Sequence, residues 1–210
     1  MAVRGRRAAA RPEADPGVRS RGGETGHAGE ADPESVARLI CLRLLTAAPR
    51  TRAQLADALQ RRGVPDDAAS AVLARFAEVG LIDDATFASA WVESRHHGRG
   101  LGRRALTAEL GRRGVDRSDI EAAVAGLTPE TERATAVALV QRKLAGTAGQ
   151  PAQARVRRLV GLLARKGYPA GLAYQVVREA LDAQAAERGE SSSGDLVMDG
   201  ELSEDDEWAG

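Results

Sequence analysis

The chain has 210 residues, 43% of them hydrophobic but only 3% aromatic, with 30 Lys and Arg against 30 Asp and Glu. Such a length suits one ordinary domain or several small ones, with a core drawn from Leu, Val, Ile and Ala. The single Cys41 excludes a disulfide framework and a Cys-based metal site, and no run of 18 apolar residues exists to span a membrane. The neutral total conceals a division. Residues 1–33 carry six Arg against five acids, residues 34–186 carry 23 Lys and Arg against 16 acids, and residues 187–210 carry one Arg against nine acids. A basic middle joined to an acidic tail attracts nucleic acid or acidic partners. Of the 30 cations 28 are Arg and Ala is abundant, a compositional bias that lowers the weight of any single Arg. The amino terminus, rich in Arg and Ala, lacks the apolar stretch of a signal peptide, and the lone Cys fits a reducing cytoplasm.

In chain order, residues 1–33 form an arm without periodicity, expected to be disordered. Asp32-Pro33-Glu34 then reads as N-cap, first-position proline and first-turn acid. Val36, Leu39, Ile40 and Leu44 make the apolar face of a helix over 34–48, ended by Pro49. Thr51-x-x-Gln54 is a capping box that opens a helix over 52–62, with Leu55 and Leu59 inward. Asp66 and Asp67 start a third over 66–79, with Val72, Leu73, Phe76 and Val79 inward, and Gly80 stops it. Asp83 or Asp84 caps the next helix. The pattern continues over 84–97, 102–113 and 117–126, then 130–145, 152–166 and 169–186. From Glu187 the chain is acidic and without a helical stripe, a second end expected to be disordered.

Sliding the chain by 51 residues places Leu55, Leu59, Arg62, Gly63 and Val64 on Leu106, Leu110, Arg113, Gly114 and Val115. A further 53 places them on Leu159, Leu163, Lys166, Gly167 and Tyr168. A repeat of this length is the signature of a stacked helical array. The expected organisation is all-α: three tandem three-helix repeats over 34–82, 83–127 and 128–186, forming an elongated, curved array between the arm at 1–33 and the tail at 187–210. "RRGV" occurs at 61–64 and 112–115, and "RKGY" at 165–168. Glycine at the C′ position takes the left-handed backbone, and the cations before it sit where the helix dipole is negative.

The middle repeat holds cations that capping does not explain. Arg103 and Arg104 lie in a first turn, where the dipole disfavours them, and Arg104 points away from the core. With Arg95, Arg99 and the glycine-rich turn before a helix start, they form a candidate anion site. Arg112, Arg113, Arg155 and Arg158 are secondary basic candidates. His96-His97 has no partner at metal-ligand spacing, Cys41 reads as a core residue, and "GRGLG" at 98–102 follows no strand. No catalytic constellation, metal or cofactor is expected, so the chain reads as a non-enzyme.

The stretch 80–115, "GLIDDATFASAWVESRHHGRGLGRRALTAELGRRGV", resembles the central signature of the RecX family. Gly80 to Asp84, Phe87-Ala88, Arg95, Gly98, Gly100, Arg103 or Arg104, Glu109-Leu110 and Arg113 to Val115 carry the likeness. It extends through 51–65 and more faintly 164–169, covering about residues 34–186. The resemblance implies a curved molecule of three three-helix repeats. It implies a regulator that binds the RecA recombinase and its filament on single-stranded DNA. Such a regulator restrains strand exchange, ATP hydrolysis and coprotease activity, and so modulates recombination, DNA repair and the SOS response. Direct DNA contact, cytoplasmic location and a monomeric state are expected with it. Composition alone also admits a non-specific DNA-binding protein or a protein-interaction scaffold.

Overall fold

The structure, a computed structural model, describes residues 32–187 and Gly189. The regular elements among these residues are helices: α1 Pro33–Ala47, α2 Arg52–Gln60, α3 Asp66–Glu78, α4 Asp84–Arg99, α5 Arg103–Gly111, α6 Arg117–Ala125, α7 Pro129–Leu144, α8 Ala152–Arg165 and α9 Ala170–Glu187. A short 3-10 turn, Ala145–Thr147, follows α7. Each end lies within two residues of the helix read from the sequence. The arm and tail expected to be disordered lie outside the described residues except at Asp32 and Pro33, where Pro33 opens α1, and at Glu187, which closes α9, and Gly189.

Local chemistry explains the helix starts. Thr51 accepts from the Gln54 amide and Gln54 Oε1 accepts from the Thr51 amide, a complete capping box. Asp83 caps α4 by accepting from the Thr86 amide at 2.8 Å, and the Thr86 hydroxyl bond holds its carboxyl below the usual range. Asp84 instead accepts from the Arg52 amide, tying the second unit to the first. Burial raises its pKa, partly offset by that bond.

The helices pack in threes, each set around its own core. Ala37, Cys41, Leu55, Leu59, Val72, Leu73 and Phe76 fill the first. Ala88, Val92, Leu106, Leu110, Ile120 and Val124 fill the second, and Ala136, Val140, Leu159, Leu163, Tyr168, Ala173 and Val177 the third. The aligned leucines at 55, 106 and 159, and at 59, 110 and 163, are all buried. Each such side chain stabilises its unit by roughly 1.5–3 kcal/mol. The Cys41 thiol is a core group, and burial raises its pKa.

Two residues assigned inward face out. Leu39 is 69% exposed and Val79 52% exposed. The inner stripe of α1 runs through Ala37 and Cys41, four residues apart. Leu39 lies two residues from both, on the opposite side of a helix that turns about 100° per residue. Val79 falls just beyond the last turn of α3, where Leu81 and Ile82 amides bond back to the Phe76 carbonyl and Ile82 takes the inward place.

Candidate functional site

Gly63, Gly114 and Gly167 have φ of 72°, 73° and 86°. Each carries both bonds of a Schellman ending. The glycine amides reach Gln60, Gly111 and Ala164, and the Val64, Val115 and Tyr168 amides reach Leu59, Leu110 and Leu163. The cation before each glycine does a different job. Arg62 donates from Nη1 to the Ala58 carbonyl of its own last turn. Arg113 lies with its guanidinium carbon 3.7 Å from the Trp91 ring centroid. Lys166 donates from Nζ to the Arg99 carbonyl of the neighbouring unit.

Two of these endings are joints between units. The Thr51 hydroxyl at the start of α2 donates to the Arg113 carbonyl at 2.6 Å. The Gly102 amide at the start of α5 donates to the Lys166 carbonyl at 2.8 Å. In each, a donor at one helix start, a hydroxyl in the first and an amide in the second, meets an orphan carbonyl of another helix end. The contact is close: a Cβ on Gly114 would overlap that of Ala53, and one on Gly167 would overlap Ala105.

The glycine-rich turn before α5, read as an anion site with open amides, is filled from within the chain. The Arg103 amide donates to Glu132 Oε1 at 2.8 Å, and the Glu132 carboxylate is buried. The anion at this helix start is a side chain of the third unit. Tyr168, 2% exposed, donates its hydroxyl to the Gly100 carbonyl at 3.2 Å. Burial, and secondly the Glu132 charge, push its pKa well above the usual phenol value. His96, also buried, donates from Nδ1 to the Leu101 carbonyl, which can only accept, and its Nε2 meets the Thr135 hydroxyl at 2.7 Å. His97 is exposed and bonds the Glu93 carbonyl. Among the described residues no group of three His, Cys, Asp or Glu could hold a metal ion.

The four central arginines separate by role. Arg103 sends Nη1 to the Val124 carbonyl and Nη2 to the Leu127 carbonyl, so a cation unfavourable at its own helix start caps the end of α6. Arg95 lies 4.0 Å from the centroid of Trp91, which Arg113 also covers and Phe87 stacks against. Trp91 Nε1 donates to Glu109 at 2.9 Å. Desolvation lowers the Arg113 pKa, and Arg95 and Arg112 act in the same direction against Glu109. Arg99 and Arg104 are exposed, with no side-chain partner among the described residues, and Arg112 is the same. In the third unit Arg155 is committed to Thr147 and Gln184, whereas Arg157 and Arg158 are exposed without a partner among the described residues.

Adjacent arginines should therefore behave differently. Arg103→Met is expected to cost about 1–2 kcal/mol, because two charge-assisted bonds to carbonyls are lost. Arg104→Met should stay within about 0.5 kcal/mol of the parent. Urea midpoints measure both, and equal midpoints would remove the capping role of Arg103.

Glu132 and Thr135, which receive α5 and His96, were missed by sequence reasoning. Glu132 looks like any first-turn acid of a helix. Only the return of α7 against the α4–α5 turn makes it a buried cap, and no local signal announces that.

These features define a class: an all-helical tandem-repeat protein with polar joints between units and exposed arginines on α4, α5 and α8. Comparisons with known proteins agree. The model described as RecX, first three-helix domain, matches residues 37–76, and that of RecX, second three-helix domain, matches 83–124. A regulatory protein RecX of Thermobifida fusca is 63% identical over 162 residues, covering 76% of this chain and 88% of the relative. One from Streptomyces lividans is 60% identical over 151 residues, covering 72% and 80%. One from Mycobacterium avium is 50% identical over 160 residues, covering 76% and 92%. The chain belongs to the RecX family. The crystal structure of RecX from Lactobacillus salivarius shares the fold with a TM-score of 0.67 at 20% identity, covering 72% of this chain and 97% of that one.

Proposed function

We propose that this chain is a non-enzymatic, cytoplasmic regulator of the RecA recombinase. It binds RecA and its filament on single-stranded DNA and restrains strand exchange, ATP hydrolysis and coprotease activity. Family membership carries this reading, since a relative 63% identical over 162 residues is a regulatory protein RecX. The exposed Arg99, Arg104 and Arg112 make the anion contacts, joined by Arg157 and Arg158. Arg95, Arg103 and Arg113 hold the surface in place through Trp91 and the end of α6. Long cationic side chains without partners among the described residues suit DNA phosphates and acidic protein surfaces alike.

The test is RecA ATP hydrolysis on single-stranded DNA, with the chain titrated well below the DNA's binding-site concentration. Strong inhibition at substoichiometric protein is expected. Replacing Arg99, Arg104 and Arg112 together with Ala should weaken inhibition about tenfold or more and flatten its salt dependence, with helicity unchanged. Inhibition only at DNA saturation would point to plain DNA binding. No inhibition at all would leave an interaction scaffold.

A further inference from the structure

The start of one unit's second helix seats on the end of the next unit's second helix, and the chain does this twice. The start of α2 seats on Arg113-Gly114, and the start of α5 on Lys166-Gly167. In both, a donor at a helix start meets a carbonyl at a helix end, where the two dipoles have opposite signs. The end of α2 has the same four residues as the end of α5, Arg-Arg-Gly-Val, and nearly the same glycine φ, 72° against 73°. Yet, its two chain neighbours aside, no described residue comes within 4 Å of the position a Cβ on Gly63 would take. Arg61, Arg62 and Gly63 are exposed.

We infer that the end of α2, Arg61 to Val64, is a third seat of the same kind, and that it receives the amino-terminal end of a helix on the regulated protein. The inference rests on the reading above, which makes that protein RecA. The two occupied seats specify the guest. Its capping residue donates a hydrogen bond, through a hydroxyl as in Thr51 or an amide as in Gly102. Its first turn carries an alanine, as Ala53 and Ala105 do, because only a small side chain fits against the glycine. Arg61 and Arg62 favour acidic residues beside it. A second copy of this chain fits less well. Its open helix start, that of α8, is capped by Pro151, which has neither an N–H nor a hydroxyl to give.

Gly63→Asn fills the seat while keeping a residue that tolerates the left-handed backbone. Gly80→Asn is the matched control: φ is 73°, no described residue lies within 4 Å, and the site ends α3 outside the repeated joint. The measurement is affinity of the full chain for RecA filaments on single-stranded DNA, with thermal midpoints and sedimentation mass for each protein. G63N is expected to lose affinity about tenfold or more and G80N to stay within about twofold, a difference of some 1.4 kcal/mol at tenfold. Their melting should coincide. Equal affinity in all three proteins overturns the seat and leaves the RecA reading standing. A parent chain that does not bind the filament removes that reading and this guest with it. A parent mass that rises with concentration, abolished in G63N, gives the seat to a second copy instead. G63N melting well below G80N means that the chain fills the seat itself, which also overturns the inference.

Discussion

Gly167→Ala is expected to destabilise the fold by roughly 3–5 kcal/mol, Gly114→Ala by nearly as much, and Gly63→Ala by only about 1–2 kcal/mol. All three positions have a left-handed backbone, so all three variants incur its strain for a residue with a Cβ, roughly 1–2 kcal/mol. They differ in what that Cβ meets. At 63 no described residue is within 4 Å. At 114 it overlaps the Ala53 Cβ, an atom that moves only if the start of α2 moves. At 167 it lies against the backbone nitrogen of Ala105 and 2.6 Å from its Cβ, so the joint between the second and third units must open. Overpacking of this kind adds roughly 1–3 kcal/mol. Chemical denaturation of the three variants separates capping from docking. Equal losses would mean that the glycines serve the helix ends alone.

Glu132→Ala is expected to cost about 2 kcal/mol, and Glu132→Gln roughly half of that. The carboxylate is buried and accepts the Arg103 amide, so alanine leaves a helix-start donor without its acceptor. Glutamine retains an acceptor but loses the charge that complements the α5 dipole. The damage should be local. Each unit has its own core, so stability is close to a sum of unit and joint contributions. Loss of this joint should let the third unit open before the first two. Hydrogen exchange reads this directly: the amides of Arg103 and Tyr168 should lose protection while those of Leu55 and Leu59 keep theirs. Uniform loss of protection across the chain would show instead that the units unfold as one.

The helices and their triplet arrangement were legible because the signals are local. The capping box at Thr51, the cap at Asp83, the aligned leucines and the three glycine endings each act within a few residues. Periodicity erred where it was loosest, at Leu39 and Val79. α1 has apolar residues on more than one side, and a count of hydrophobic positions does not choose between them. The candidate site was only partly legible. Arg99, read as part of the connection, is the last residue of α4, whereas Arg104 is exposed, as its helical spacing from Leu106 suggested. Arg103, one residue away, is engaged with α6, because the next helix end happens to face its guanidinium.

The sequence by itself determined what each segment does alone: nine helix patterns, their starts and stops, a repeat of about 50 residues, a basic middle and a family signature at 80–115. These follow from backbone capping and side-chain periodicity, interactions that span at most a turn or two. Only the tertiary structure decided how one motif serves three purposes. Arg62 closes its own helix, Arg113 covers Trp91, and Lys166 holds the neighbouring unit. It also decided that the open helix start at Gly102 is closed by Lys166 and Glu132. The bonds that close this start, Arg103 to Glu132 and Gly102 to Lys166, span 29 and 64 residues of the chain, and a buried donor must find an acceptor wherever the packing of whole units brings one.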